Sequence, residues 1–303
     1  VTRWRDVMQT ALYGPEGFFV RHRPRDHFRT SVHASPLFAG AIATLLMRID
    51  EALEHPARLD LVDVGAGRGE LLRAVLAALP GPTAGRVRAT AVEKAPRPGD
   101  LPSTIGWTAK LPSGITGLLL ATEWLDNVPV DIVEKSETGV IRYLGSDDPL
   151  DPPDEAWLRR WWPLDDAPPG ARAEIGRPRD EAWAAAVRSV ERGLALAVDY
   201  GHFAADRPLF GTLSAYQRGH QVEPIPDGER DLTVAVALDS LGSETLPQRE
   251  ALRLLGVDGT RPPLALASTD PVGYLKRLAQ ASAAAELTDP AGLGGHHWVM
   301  RWV

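Results

Sequence analysis

The chain has 303 residues, 44% of them hydrophobic and 24% charged, with a formal net charge of −7. That length and apolar content suit one large α/β domain, alone or with a smaller unit, and the negative charge argues against a nucleic-acid partner. The absence of cysteine excludes disulfides, thiolate metal sites and a cysteine nucleophile, and no apolar run approaches the roughly 18 residues of a membrane span.

The opening "VTRWRDVMQT" lacks the apolar core of a secretion signal, so a cytoplasmic protein is expected. "VMQTALYGPEGFFVR" reads as a short helix that breaks at Gly14-Pro15 into an aromatic extended piece. The basic loop "RHRPRDHFRTS" follows, and Ser35-Pro36 opens a helix whose apolar residues run from Leu37 to Leu53 at helical spacing. "RLDLVDV" is a buried strand and "RGELLRAVLAAL" the helix after it. "RVRATAVE", "IGWTA" and "GLLLATE" are further strands, the last apolar enough to be covered on both faces. Strands alternating with helices predict a mostly parallel sheet with helices on both faces.

The pattern then changes. "VPVDIVEK" and "VIRYLG" flank "SETG" as a hairpin, and two Pro/Asp-rich stretches surround "AWLRRWW". Trp157, Trp161 and Trp162, with Arg159 and Arg160, are either the small core of an insertion or an exposed partner surface. "DEAWAAAVRSVERG" is helical with Gly193 as its stop, and "LALAVDYG" is a buried strand. A helix is expected near 231–240, others in "LPQREALRLLG" and "VGYLKRLAQASAAAEL", and a final strand in "HHWVMRWV". His296 and His297 point to opposite faces of that strand and cannot chelate one ion together. No other His/Asp/Glu cluster has ligand spacing, and no metal is expected.

The chemistry begins at Gly65, Gly67 and Gly69, which lie between a strand and a helix. Such a turn brings backbone close to a ligand. The third glycine of the dinucleotide fingerprint would fall at position 70, which is Glu, and Asp63 precedes the turn. Carboxylates there repel a pyrophosphate and attract a cation. The reading is therefore S-adenosylmethionine, which carries an ammonium and a sulfonium, over a nicotinamide dinucleotide. Glu93 ends the next strand, with Lys94 after it, and a carboxylate at that edge accepts ribose hydroxyls with either cofactor. Glu123 and Asp126, after the fourth strand, would hold a cationic acceptor such as a guanidinium by bidentate hydrogen bonds, or else be a solvated edge and a helix cap. Asp199 ends another strand and would assist the acceptor, with His202 or His220 taking a proton, unless these are loop polar groups satisfying backbone. No G-x-S-x-G is present to support a hydrolase.

Nine stretches in order, "ALYGPEGFF", "FRTSVHASPLF", "DVGAGRG", "VEK", "TEWLDNVPV", "VDYG", "GTLSAYQRGH", "RDLT" and "QREALRLLGV", resemble the MidA-like methyltransferase family, which includes the mitochondrial complex I assembly factor that methylates a protein arginine. The resemblance implies a class I methyltransferase, Rossmann-like fold. It implies that Gly65, Gly67 and Glu93 bind the donor, that Thr30 and Ser35 close over the pocket and that Glu123 and Asp126 line the reaction centre. Together with the residues read above, the expected donor site is Thr30, Ser35, Asp63, Gly65, Gly67, Gly69, Glu93, Lys94 and Glu123, and the expected catalytic set is Glu123, Asp126 and Asp199. The resemblance also implies S-adenosylmethionine as donor, S-adenosylhomocysteine as product and a protein side chain as acceptor. Residues 1–56 would form a lid and helical segment, 57–130 the first part of the donor domain, 131–178 an inserted substrate subdomain and 179–303 the remainder. The basic loop "RHRPRDHFR" would be a lid that meets acidic partners, or a solvated loop. The sequence departs from the family's motifs: His33 stands in place of Glu, Val32 of Pro, Thr122 of Asn, and Ala235 and Ala237 of a polar pair. Those changes leave a second reading open, a non-catalytic scaffold that keeps the fold. A nucleotide-dependent oxidoreductase is a third, and it needs room for a pyrophosphate beside Asp63 and Glu70.

Overall fold

The computed structural model describes residues 3–21 and 36–303. In chain order it has α1 (Trp4–Tyr13), α2 (Phe18–Arg21), α3 (Pro36–Ala52), β1 (Leu59–Val64), α4 (Glu70–Ala78), α5 (Gly81–Ala84), β2 (Val87–Val92), β3 (Gly106–Thr108), β4 (Ile115–Thr122), β5 (Asp131–Lys135) and β6 (Ile141–Tyr143). Then come α6 (Pro152–Trp161), β7 (Arg172–Ile175), α7 (Arg177–Ser189), β8 (Val190–Asp199), β9 (Gly201–His202), β10 (Ser214–Gln217), β11 (His220–Val222), β12 (Asp231–Thr233), β13 (Val236–Ala237) and β14 (Glu244–Pro247). Helices α8 (Gln248–Leu254), α9 (Ala265–Thr269) and α10 (Pro271–Thr288) precede β15 (His297–Trp302).

The main sheet has seven strands in the order β14-β15-β8-β4-β1-β2-β3. Strands β8, β4, β1, β2 and β3 pair in parallel, while β15 runs antiparallel to both β8 and β14. Only β15 is therefore reversed in an otherwise parallel sheet. Its two faces are covered by different cores. Leu59, Leu61, Leu118, Leu120, Leu194 and Leu196 pack with α3 and α4 on one face, and Val62, Leu119, Ala121, Ala195 and Ala197 pack with Trp183 and Ala186 of α7 on the other. This two-residue alternation within unbroken apolar runs is what a doubly covered parallel sheet requires. Connections leave β1 toward β2 and leave β4 toward β8, so the order reverses between β1 and β4, and a crevice opens beyond their carboxyl ends.

The insertion is a three-stranded sheet, β6-β5-β7, backed by α6. Trp157, Leu158 and Trp162 are buried against Tyr143, Ala173 and Ile175, so this tryptophan cluster is a local core and not a docking face. Helix α1 is held by a fourth cluster, in which Met8, Ala11 and Leu12 meet Phe18, Val130, Leu232 and Val234.

Three local expectations differ from the structure. Phe18–Arg21 is a helical turn and not extended, because the amides of Val20 and Arg21 bond back to the Gly17 carbonyl and Phe18 is buried with α1. Residues 231–240 are mainly two short strands and a 3-10 turn: Leu232, Val234, Val236 and Leu238 alternate with a period of two, and β12 and β13 find partners in β10 and β9. Gly193 does not stop a helix. The preceding helix ends at Ser189, and Gly193 lies inside β8 directly opposite Gly117.

Gly193 lets β8 approach β4, and Gly117 lets β4 approach β1. A Cβ at Gly193, whose φ is +130°, would lie 2.0 Å from the Gly117 carbonyl oxygen, and one at Gly117 would lie 2.2 Å from that of Asp60. Neither obstacle is a side chain that can turn away. Gly193→Ala is expected to lower unfolding free energy by about 2–4 kcal/mol. Urea denaturation measures this, and a change within about 0.5 kcal/mol would contradict the packing argument.

Candidate functional site

The strand ladders decide what meets in the crevice. Val64 pairs with Val92 on one side and Ala121 on the other. Glu93 lies one residue beyond that rung and Glu123 two, so both carboxylates flank the turn that follows Asp63 and Val64. A cavity of about 460 Å³ occupies this place, and its wall includes Asp63, Gly65, Gly67, Glu93, Lys94 and Glu123. Six residues singled out from separate stretches of sequence are thus brought together. Thr30, Ser35, His33 and the basic loop from residue 22 onward lie outside the described residues.

The glycine turn adopts a shape open mainly to glycine. Gly65, Gly67 and Gly69 have φ of +72°, +55° and +80°. Gly69 does not reach the cavity wall. It starts α4 in the left-handed region, and a Cβ there would meet Leu101 Cδ1 at 2.7 Å. Its role is to shape the turn. The amides of Gly65 and Ala66 donate to the Val92 carbonyl, that of Gly67 to Glu93, that of Arg68 to Glu70 and that of Gly69 to the Ala66 carbonyl. The turn therefore offers no nest of open N–H groups to a phosphate, unlike a dinucleotide loop.

The carboxylates are held in distinct ways. Glu93 accepts from Gly67 N at 3.0 Å through Oε2, and from Lys94 N at 2.7 Å and Ala95 N at 3.0 Å through Oε1. A carboxylate has about four acceptor positions, so this anchoring fixes the group and leaves capacity for a hydroxyl. Asp63 is nearly fully buried and its Oδ1 has no hydrogen-bond partner. Burial pushes its pKa up to about 8, with Glu93 and Glu70 adding to the shift. A buried carboxylate oxygen without a partner, in a wall with a second carboxylate, fits a cationic ligand such as the ammonium of an amino-acid moiety. Glu123 has φ +50°, a conformation that costs a non-glycine residue about 1–2 kcal/mol. Its amide donates to the Val198 carbonyl at 2.8 Å, which holds this strained residue at the lip of β4.

Asp126 and Asp199 are not in the cavity wall. Asp199 is fully buried and accepts from the amides of Leu125 (2.9 Å), Asp126 (3.2 Å) and Tyr200 (3.0 Å). It holds the 3-10 turn Leu125–Asn127 behind Glu123 and Trp124, which makes it a support and not a group that reaches substrate. Asp126 accepts from Thr233 Oγ1 at 2.7 Å, and the buried Arg179 beside it donates to the carbonyls of Asp126 and Ala235. Burial raises the pKa of both carboxyls, and Asp126 and Glu123 raise Asp199 further. His202 is also removed from the cavity. It is wedged on Trp162 and bonded to Arg207, and burial lowers its pKa to about 4. His220 is exposed on β11. Ala235 and Ala237 do not line the cavity either, and Ala237 belongs to the core of the insertion. No group of three or more His, Asp or Glu among the described residues could hold a metal, and none of their helices is long and apolar enough to cross a membrane.

Sequence reasoning missed one wall. Gln9, Tyr13 and Phe19 from the N-terminal helices face the cavity, as do Trp124, Asn127 and, from α7, Ala182 and Ala185. Tyr13 donates to the Asn127 carbonyl at 3.2 Å, stacks on Phe19, and lies under Lys94 Nζ, 3.8 Å from its ring centroid. The aromatic run in "ALYGPEGFF" was the available signal.

Residues 41–256 match a protein family described as "Putative S-adenosyl-L-methionine-dependent methyltransferase". Among solved structures, a protein from Burkholderia thailandensis described as a "likely methyl transferase" and bound to S-adenosyl-homocysteine superposes with a TM-score of 0.77 at 21% identity, covering 100% of this chain and 88% of that one. An uncharacterized protein of the same superfamily and organism gives 0.75 at 22% identity, with 100% and 87% covered. These likenesses show a shared fold. No curated protein matches the chain.

The raised pKa of Asp63 has a testable sign. The folded protein keeps a proton there that the unfolded chain, with an ordinary carboxyl near 3.8, releases. The contribution is present below about pH 4, declines as pH rises and is lost by about pH 8, with a slope of at most about 1.4 kcal/mol per pH unit. Asp63→Asn should therefore gain stability over wild type as pH rises from 5 to 8. Equal pH profiles in urea melts would show that Asp63 is ionised in the folded state.

Proposed function

The chain belongs to the S-adenosyl-L-methionine-dependent methyltransferase family, and from that premise we propose that it methylates a protein side chain, with arginine as the first candidate. What carries the donor half is the pairing of Asp63, buried with an unsatisfied oxygen, with a glycine turn whose amides are already engaged. That chemistry suits a cation without a phosphate. The acceptor half rests on Glu123, and on the resemblance to a family with a protein-arginine methyltransferase among its members.

When bound, S-adenosylmethionine supplies a methyl carbon on a sulfonium, and displacement by a nitrogen lone pair leaves S-adenosylhomocysteine, the ligand carried by the Burkholderia protein. The chain's own residues position and desolvate. Glu93, immobilised by three amides, accepts ribose hydroxyls. Asp63 offers its open oxygen to the ammonium. Glu123 accepts guanidinium N–H groups, turns one nitrogen toward the methyl and receives the proton which that nitrogen loses when the new N–C bond forms. Trp124 and Tyr13 provide an apolar and aromatic lining that excludes water and tolerates a planar cation.

Calorimetric titration with S-adenosylmethionine and S-adenosylhomocysteine tests the donor half. Binding should weaken tenfold or more in Glu93→Ala, about 1.4 kcal/mol. At saturating donor, Glu123→Gln should lower methyl transfer to arginine peptides or cell extract by about a hundredfold. Label found on another residue type would overturn the arginine assignment. No donor binding by the wild type would leave a methyltransferase-shaped scaffold.

A further inference from the structure

The cavity wall made by α1 is held from a distance. Arg3, just before the helix, reaches into the insertion and contacts three carboxylates: Nη2 bonds Asp131 at 2.6 Å and Asp154 at 2.9 Å, and Nη1 bonds Asp151 at 2.5 Å. Its guanidinium also lies 3.8 Å from the Tyr143 ring centroid. Asp131 and Asp154 are buried, and each is tied to a further element. Asp131 accepts from the amide of Arg5, at the start of α1, at 3.0 Å. Asp154 accepts from Tyr143 Oη at 2.9 Å and from Arg177 Nε, at the start of α7, at 2.7 Å. Both α1 and α7 send side chains into the cavity.

Burial of Met8, Ala11 and Leu12 attaches α1 to its neighbours, but apolar contact is not directional and does not by itself fix a helix along its axis. A planar guanidinium bonded to three carboxylates and stacked on an aromatic ring is directional. At the other end of the helix, Tyr13 bonds the Asn127 carbonyl and carries Lys94, the neighbour of Glu93, on its ring. The helix is pinned at its start to the insertion and touches donor-site residues at its end.

We infer that Arg3 is a positioning residue for the donor pocket: through its clasp on Asp131, Asp151 and Asp154 it sets α1 so that Tyr13 and Lys94 form one wall, and donor binding and α1 docking strengthen each other. The inference rests on the donor-site reading above. The coupling is reciprocal, so loosening the clasp weakens the donor and the donor tightens the helix.

The test uses the full chain. Calorimetry with S-adenosylhomocysteine compares wild type, Arg3→Ala and Arg3→Lys, and hydrogen exchange follows residues 4–13 with and without the ligand. The expected result is a Kd raised about tenfold in Arg3→Ala, partly restored in Arg3→Lys, and ligand-induced protection of residues 4–13 that Arg3→Ala reduces. Asp151→Ala removes one exposed arm of the clasp and should give a smaller rise in Kd, which keeps the test open if Arg3→Ala folds poorly. Wild-type binding with unchanged Kd in both Arg3→Ala and Asp151→Ala, and no ligand effect on exchange of residues 4–13, would overturn the coupling and leave the donor reading intact. Failure of the wild type to bind S-adenosylhomocysteine would overturn both.

Discussion

The hydrogen-bonded register of β1 between β2 and β4 is the constraint on which the site depends. Because the three strands are parallel and nearly in step, their carboxyl ends finish within two residues of one another. The segment from Asp63 through the glycine turn, Glu93 and Glu123 come from three stretches tens of residues apart in sequence yet share one edge. A slip of one residue would turn each side chain to the opposite face and scatter the group. Gly117 and Gly193 protect the close packing of β4 between β1 and β8, because a Cβ at Gly117 would meet the Asp60 backbone and one at Gly193 the Gly117 backbone.

Carboxylates gathered at that edge carry an electrostatic cost that a cation can offset. Asp63 responds by holding its proton, while Glu93 is stabilised by three amides. Burial is what keeps the proton on Asp63, whereas the three amides fix the Glu93 carboxylate in place. Behind the wall, Asp199 fixes the turn after Glu123 with two amides of that turn, and Arg179 binds the turn's carbonyls. The strained φ of Glu123 persists because the strand end before it and the turn after it are both held.

The additions to the sheet serve the same place. The insertion has its own tryptophan core and presents acidic side chains to Arg3, and α1 bridges it to the donor-site residue Lys94. Of these additions α1 lines the cavity through Gln9 and Tyr13, while the insertion contacts the residue that precedes it.

The parallel sheet, its order of strands and helices, and the position of Asp63, the glycine turn, Glu93 and Glu123 were legible in the sequence, because unbroken apolar runs, helical spacing and residues at strand ends are local signals. Which acids face the cavity was not. Asp126 and Asp199 carry the same side chain as Asp63 and also end strands or open turns, but they are turned inward to backbone amides and Thr233, and only packing reveals that. The period-two alternation from Leu232 to Leu238 was present as a pattern, yet its strand character needed partners distant in sequence. The wall supplied by Tyr13 and the clasp at Arg3 also required contacts across more than a hundred residues. Local chemistry is written along the chain; which side chains share a cavity, and which are consumed in holding its walls, is decided when the tertiary fold brings distant segments to one edge.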